Sequence, residues 1–175
     1  MKKFNSVLLI TSILFISGCS STNHPPLDTV DKVDIQRYLG KWYEIANLPN
    51  SFQKGCSCSS AEYSLIDSTT IRVTNKCMKE GELDDVNGKA FVVEGTGNSR
   101  LKVQFFWPFR GDYWIIDLDK ENYSYAVVGT PSRKYLWILS RTPKMEDSVY
   151  NSLIEKCKTK GFDVSKVVMT EQDCG

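Results

Sequence analysis

The chain has 175 residues, 41% hydrophobic and 25% charged, which is the make-up of one globular domain rather than of a disordered chain. Its formal net charge is +1, and removal of Lys2 and Lys3 with an export segment leaves 20 cations against 21 anions. A balance this even gives no electrostatic footprint for nucleic acid and no polybasic patch for anionic lipid. The only histidine, His24, excludes His-dependent catalytic triads and two-histidine metal sites from the folded body.

Lys2 and Lys3 precede a ten-residue apolar run, Val7 to Ile16, which leads into Ser17-Gly18-Cys19. A positive start, a short apolar core and small residues before a cut site describe an export signal. The run is too short to span a bilayer, which takes roughly 20 apolar residues. Ile16-Ser17-Gly18-Cys19 resembles the lipobox of bacterial lipoproteins, in which the cysteine is acylated, palmitate included, and becomes the first mature residue. Ser20, a residue other than Asp after that cysteine, implies sorting to the outer membrane with the domain facing the periplasm. Several acyl chains anchor stably where one holds only marginally. Residues 1–18 are thus expected to be a signal peptide. Residues 19–33, polar and carrying Pro25 and Pro26, read as a lipidated N terminus and flexible tether, and residues 34–175 form the domain.

Between Trp42 and Ser140, β-branched and aromatic residues recur with period two. Strands are predicted near Trp42–Asn47, Cys58–Ile66, Ile71–Met78, Gly88–Thr96, Leu101–Phe106, Tyr113–Asp117, Tyr123–Val128 and Tyr135–Ser140, each followed by turn-forming residues. Short connections favour antiparallel neighbours, because parallel pairing needs long crossovers. The predicted class is all-β with one helix: an eight-stranded antiparallel up-and-down β-barrel, whose closure removes every edge. One helix is predicted from about Met145 to Lys160, where Val149, Leu153 and Cys157 form an apolar stripe that packs on the outside of the barrel. Pro143 suits its entry and Gly161 its exit. Val164 to Thr170 reads as a short final strand.

Eight strands leave room for one small ligand. Alternation places Tyr63, Val73, Asn75, Val103, Phe105, Trp137 and Leu139 on the inner face, without deciding between a hollow barrel and a solid aromatic core.

Gly40-Lys41-Trp42-Tyr43-Glu44 resembles the Gly-x-Trp signature of lipocalins. Ala61-Glu62-Tyr63-Ser64-Leu65, Lys102-Val103-Gln104-Phe105-Phe106 and Tyr135 to Arg141 match further stretches of that family in order. With the lipobox, the resemblance is to the bacterial outer-membrane lipoprotein lipocalins, the apolipoprotein D-like branch. It implies a hollow barrel with one open mouth. Trp42 then closes the bottom and Arg141 lies across its indole, both in structural roles. The ligand positions it implies are Tyr63, Asn75, Phe105, Trp114, Trp137 and Leu139. Of these, the even-numbered Trp114 breaks the parity of the others. The resemblance also implies a Cys58–Cys174 disulfide. Cys56 and Cys77 flank one hairpin and could meet at its open end, leaving Cys157 as the buried odd thiol.

Catalytic chemistry is missing from the motifs. Gly95-Thr96-Gly97 opens no helix, and the paired carboxylates Asp84-Asp85 and Asp117/Asp119 lie in turn-rich stretches, so neither a nucleotide loop nor a metal site is expected. No cofactor is expected, and no serine has a histidine to activate it. The expected function is a non-enzymatic, membrane-anchored carrier of a fatty acid or lysophospholipid in the bacterial envelope. Alternatives are a filled-barrel structural or partner-binding protein, a carrier of another hydrophobic ligand such as a bilin or retinoid, and a small-lipid enzyme. Some members of the group pair as dimers, so a homodimer is among the expected partners.

Overall fold

The computed structural model describes residues 24–174. The predicted signal peptide and the predicted acylation site, Cys19, lie outside the described residues. The fold starts at a one-turn helix, α1 (Ile35–Tyr38), capped by Asp34, whose Oδ1 accepts from the amides of Gln36 and Arg37. Gly40 takes φ +87°, a conformation that a side chain would strain, and turns the chain into β1 (Gly40–Asn47).

Seven further strands follow as a meander: β2 (Cys56–Leu65), β3 (Thr70–Lys79), β4 (Glu82–Val92), β5 (Arg100–Gln104), β6 (Gly111–Leu118), β7 (Tyr125–Gly129) and β8 (Leu136–Ser140). Each pairs antiparallel with the next, β8 returns to β1, and β1 also pairs with β2, so the eight strands form a closed barrel. The predicted helix is α2 (Asp147–Thr159), and a two-residue strand, β9 (Val168–Met169), adds to β1. The end bearing the β1–β2, β3–β4, β5–β6 and β7–β8 connections is the mouth, and α1 covers the other end.

Three predicted boundaries shift. The fourth strand begins at Glu82 rather than Gly88, because Glu82 to Asn87 complete a ladder with Thr74 to Lys79 while exposed to water. A hairpin wet on both faces has no hydrophobic alternation to reveal it. The first three residues of the predicted last strand form a single turn, Val164–Lys166, and only Val168–Met169 pair as β9. The flexible tether is also shorter than predicted, since the chain from Pro25 to Val33 is strapped to the barrel wall. Arg133 Nη2 donates to the Pro25 carbonyl at 2.6 Å, Val30 N to Ile115 O at 3.0 Å and Val33 N to Gly97 O at 2.8 Å, while Leu27 and Val33 are buried.

Two apolar clusters divide the molecule. One fills the interior with Trp42, Tyr63, Val73, Leu101, Tyr113, Ile115 and Leu139 among others. The second lies between the outer wall and α2, where Leu153 and Cys157 meet Ile45, Ile116, Val127 and Ile138. Lys156 on α2 holds Asp117 of β6 at 2.8 Å beside that cluster. Ile116 and Asp117 both face this side: the register slips between Ile115 and Asp117, so alternation breaks partway along β6 and Leu118 returns to the interior.

At the closed end, Trp42 is fully buried and donates its indole N–H to the Tyr38 carbonyl at 2.8 Å. The Arg141 guanidinium lies 3.8 Å from the ring centroid and donates to the carbonyls of Lys41, Arg37 and Tyr123. Above this seal, the Tyr113 hydroxyl meets those of Tyr38 and Tyr63 at 2.8 and 2.9 Å. Burial pushes the Tyr63 hydroxyl up to about 12 and the other two well above the ordinary tyrosine value. Two hydrogen bonds join the three hydroxyls, so each oxygen has a partner and one O–H proton is left over at the floor of the interior.

Arg141→Ala removes a cation–π contact and three carbonyl caps at once. We expect a loss of about 2 kcal/mol, read as a fall in Tm of roughly 4–8 °C for a domain this size. Thermal denaturation by circular dichroism checks it. The tyrosine cluster makes a second prediction. Above about pH 10 the unfolded chain loses phenolic protons that the folded chain keeps, so the folded state binds more protons and stability falls as pH rises. Below that pH these groups contribute fully and their effect is flat. Tyrosinate absorbance should therefore lag in the native protein and rise together with unfolding.

Candidate ligand site at the barrel mouth

Inner-face residues near the closed end are sealed, whereas those nearer the mouth are not. Ala61, Asn75, Val103, Phe105 and Trp137 all face inward yet remain part-exposed, so solvent reaches them through the open end. Phe105 lies across Gly88, where a Cβ would come within 2.7 Å of its ring. Glycine at that position lets the aromatic lie flat along the wall.

Of the six residues predicted to line the site, the structure brings five to the interior. Tyr63 belongs to the floor, Leu139 is buried in the wall, and Asn75, Phe105 and Trp137 lie in the upper, part-exposed half. Trp114 corrects the prediction. It packs with the outer cluster, on the same side of β6 as Ile116, and Arg100 stacks over its ring at 4.1 Å. Alternation within β6 accounts for this: Tyr113 and Ile115, its neighbours in the chain, occupy the inner face.

Sequence reasoning missed the polar network at the mouth. Glu44 is buried, and its carboxyl accepts from Asn47 Nδ2, Gln53 Nε2 and Thr170 Oγ1, each at 2.6 Å. Gln53 Oε1 in turn accepts from the Trp137 indole N–H at 2.8 Å. The network ties the β1–β2 connection and the segment after β9 to the barrel wall and fixes the Trp137 ring, which also stacks on Tyr135. No buried side-chain polar atom among the described residues lacks a partner. The signal was available: Glu44 shares the parity of Trp42, so an inward Trp42 implies an inward Glu44. Beside this network a cavity of about 660 Å³ opens between the β1–β2 connection and β9, bordered by Asn47, Asn50, Gln53, Cys56 and Thr170. None of the six predicted ligand residues lines it.

Two disulfides frame the mouth. Cys56–Cys77 crosses the β2–β3 hairpin, and Cys77 shares a face of β3 with Ile71, Val73 and Asn75. Cys58–Cys174 fixes the C-terminal segment, whose Glu171 carbonyl accepts from Cys58 N and whose Gln172 amide reaches the carbonyls of Glu44 and Ser59. Cys157 is the free, buried cysteine, its thiol pushed up to about 12 by burial. The paired carboxylates have structural partners: Asp117 bonds Lys156, and Asp119 accepts from the turn that contains Ser124. Among the described residues no helix is long and apolar enough to cross a membrane.

Residues 33–172 match the lipocalin-like domain family. The outer membrane lipoprotein Blc of Vibrio cholerae is 40% identical over 169 residues, covering 95% of this chain and 98% of its own. The Escherichia coli protein of the same name is 39% identical over 175 residues, 98% of each. Bovine apolipoprotein D is 33% identical over 156 residues, 85% of this chain and 81% of its own. The fold matches that of insecticyanin from the tobacco hornworm, with a TM-score of 0.70 over 85% of each chain at 22% identity. The end-to-end likeness to outer-membrane lipoproteins, together with the lipobox cysteine, gives the chain the same lipid-anchored, outer-membrane location. With its sealed floor, open mouth and closed eight-stranded wall, the chain belongs to the lipocalin family, whose members are generally binders and carriers of small hydrophobic molecules rather than enzymes.

Proposed function

We propose that this lipocalin carries a fatty acid or a lysophospholipid in the upper half of its barrel, at the periplasmic face of the outer membrane. The observation that supports it best is the split interior: apolar side chains sealed at one end and part-exposed at the other, with few polar groups among them. An acyl chain would run between Phe105, Val103 and Ala61 toward the tyrosine floor. The floor hydroxyls bond one another and leave a single O–H proton over, so little polar demand falls on a hydrocarbon terminus. The head of the ligand would lie near Asn75 and the Gln53–Trp137 pair, where the mouth supplies amide groups.

Magnitudes allow useful affinity. About 16 methylenes leaving water gain roughly 13 kcal/mol gross at about 0.8 each. Association costs on the order of 4–15 kcal/mol, which leaves room for micromolar to nanomolar binding. A carrier fixed to the membrane suits such ligands, since lysophospholipids are products of the bilayer that holds it.

Tryptophan fluorescence on titration with palmitate or lysophosphatidylethanolamine tests the reading. Trp137→Arg should abolish binding while the domain stays folded, because a part-exposed position near the mouth admits water around a guanidinium that a solid core could not bury unpaired. Trp114→Phe should leave affinity within about twofold of the parent, as expected of a surface substitution away from the site. Unfolding of Trp137→Arg would favour a filled barrel, and binding lost in Trp114→Phe instead would move the site to the outer wall.

A further inference from the structure

The β5–β6 connection at the mouth carries Phe106, Trp107 and Phe109 at 72%, 85% and 77% exposure, beside Pro108. Three large aromatics in four residues, all in water, are an unusual cost for a soluble surface. Phe52, on the β1–β2 connection at the same end, is 62% exposed as well. Arg110 closes the tip, its guanidinium over the Phe91 ring. None of these exposed rings belongs to the barrel interior or to the packing of α2.

The N terminus leaves the domain at this same end. Arg133, in the β7–β8 connection, is buried and clamps the chain through the Pro25 carbonyl, while its Nε donates to the Lys160 carbonyl at the end of α2. His24 is therefore held beside the mouth, and from it the chain runs along the wall toward the closed end, where Val33 bonds Gly97. Only four residues, Ser20 to Asn23, separate His24 from Cys19, a span of five Cα–Cα steps. Even fully extended they reach at most about 18 Å at 3.3–3.6 Å per residue. An acyl anchor on so short a lead draws the mouth, rather than the sealed end, to the bilayer.

We propose that the Phe106-Trp107-Pro108-Phe109 tip inserts into the boundary between headgroups and acyl chains of the bilayer that holds Cys19, so that the barrel mouth opens onto the membrane surface. Aromatic rings partition to that boundary, where one side is apolar and the other wet. The proposal rests on the lipid anchor and not on the identity of the cavity ligand.

The test uses the full-length, acylated protein in vesicles of phosphatidylethanolamine and phosphatidylglycerol, with and without bromine on the acyl chains near the headgroup. Bromine quenches tryptophan only at close range. The parent should lose emission that a Trp107→Phe chain, matched in shape but blind at this position, does not lose. A brominated lipid held in the cavity quenches Trp137 equally in both chains, so the difference reports Trp107 alone. Phe106→Ser with Phe109→Ser, both at exposed positions that leave the core intact, should reduce the parent's loss to that of Trp107→Phe. Equal quenching of the parent and Trp107→Phe overturns the proposal. So does a Trp107 signal that the double serine variant leaves unchanged, since the rings would then take no part in the contact.

Discussion

A sheet in water must dispose of its edges, and here one strand meets that requirement. β1 pairs with β2 over Gly40 to Tyr43 and with β8 from Tyr43 to Asn47, so the circle closes only through it. The two partners diverge toward the mouth. A bulge at Ile45 turns two successive residues, Ile45 and Ala46, to the outer cluster, while Glu44 and Asn47 stay on the inner side. Above Tyr43 the backbone of β1 would lack a neighbour on its β2 side. The C-terminal segment supplies one: Thr170 N donates to Ile45 O, Met169 pairs with Ala46, and Gln172 bridges Glu44 and Ser59. Closed-end seal, open mouth and C-terminal strap are three consequences of one strand serving two neighbours.

That division also sorts the side chains by role. Trp42 at the start of β1 is consumed by closure, with Arg141 above its face and Tyr38 accepting its N–H. Glu44, two residues on, is consumed by the mouth network. Neither is free to meet a ligand, although both sit inside the motif that most plainly marks the family. The part-exposed residues between these two ends, Asn75 and Phe105 among them, have no such structural obligation.

Much of this was legible in the residues, for identifiable reasons. Period two placed Tyr63, Val73, Phe105 and Leu139 correctly because β2, β3, β5 and β8 are regular across those stretches. It could not handle β6, where the bulge at Ile116 resets the parity. Trp114 lies ahead of that bulge, and the family resemblance carried it inward although the alternation of Tyr113 and Ile115 turns it outward. The first half of β4 was invisible since Glu82, Asp84 and Asp85 are held by backbone pairing with β3 and not by a buried face. The N-terminal strap was hidden by composition. Pro25, Asp28 and Asp31 look like linker, while Leu27 and Val33 are its only fully buried side chains and much of the rest of its hold on the wall is through backbone groups. The disulfides came from resemblance and hairpin position, and both are present.

Five cysteines in the folded chain leave one without a mate, a hazard in an oxidising compartment because a free thiolate attacks existing bridges. The position of Cys157 removes that hazard. It lies 2% exposed under α2, and with its thiol at about 12 almost none of it is ionised near neutral pH. Docking of α2 against Ile45, Val127 and Ile138 is thus also an act of redox quarantine. Before that helix lands, the odd sulfur competes for Cys56, Cys58 and Cys77. Afterwards the native pairing is insulated from scrambling by the same contacts that cover the barrel wall.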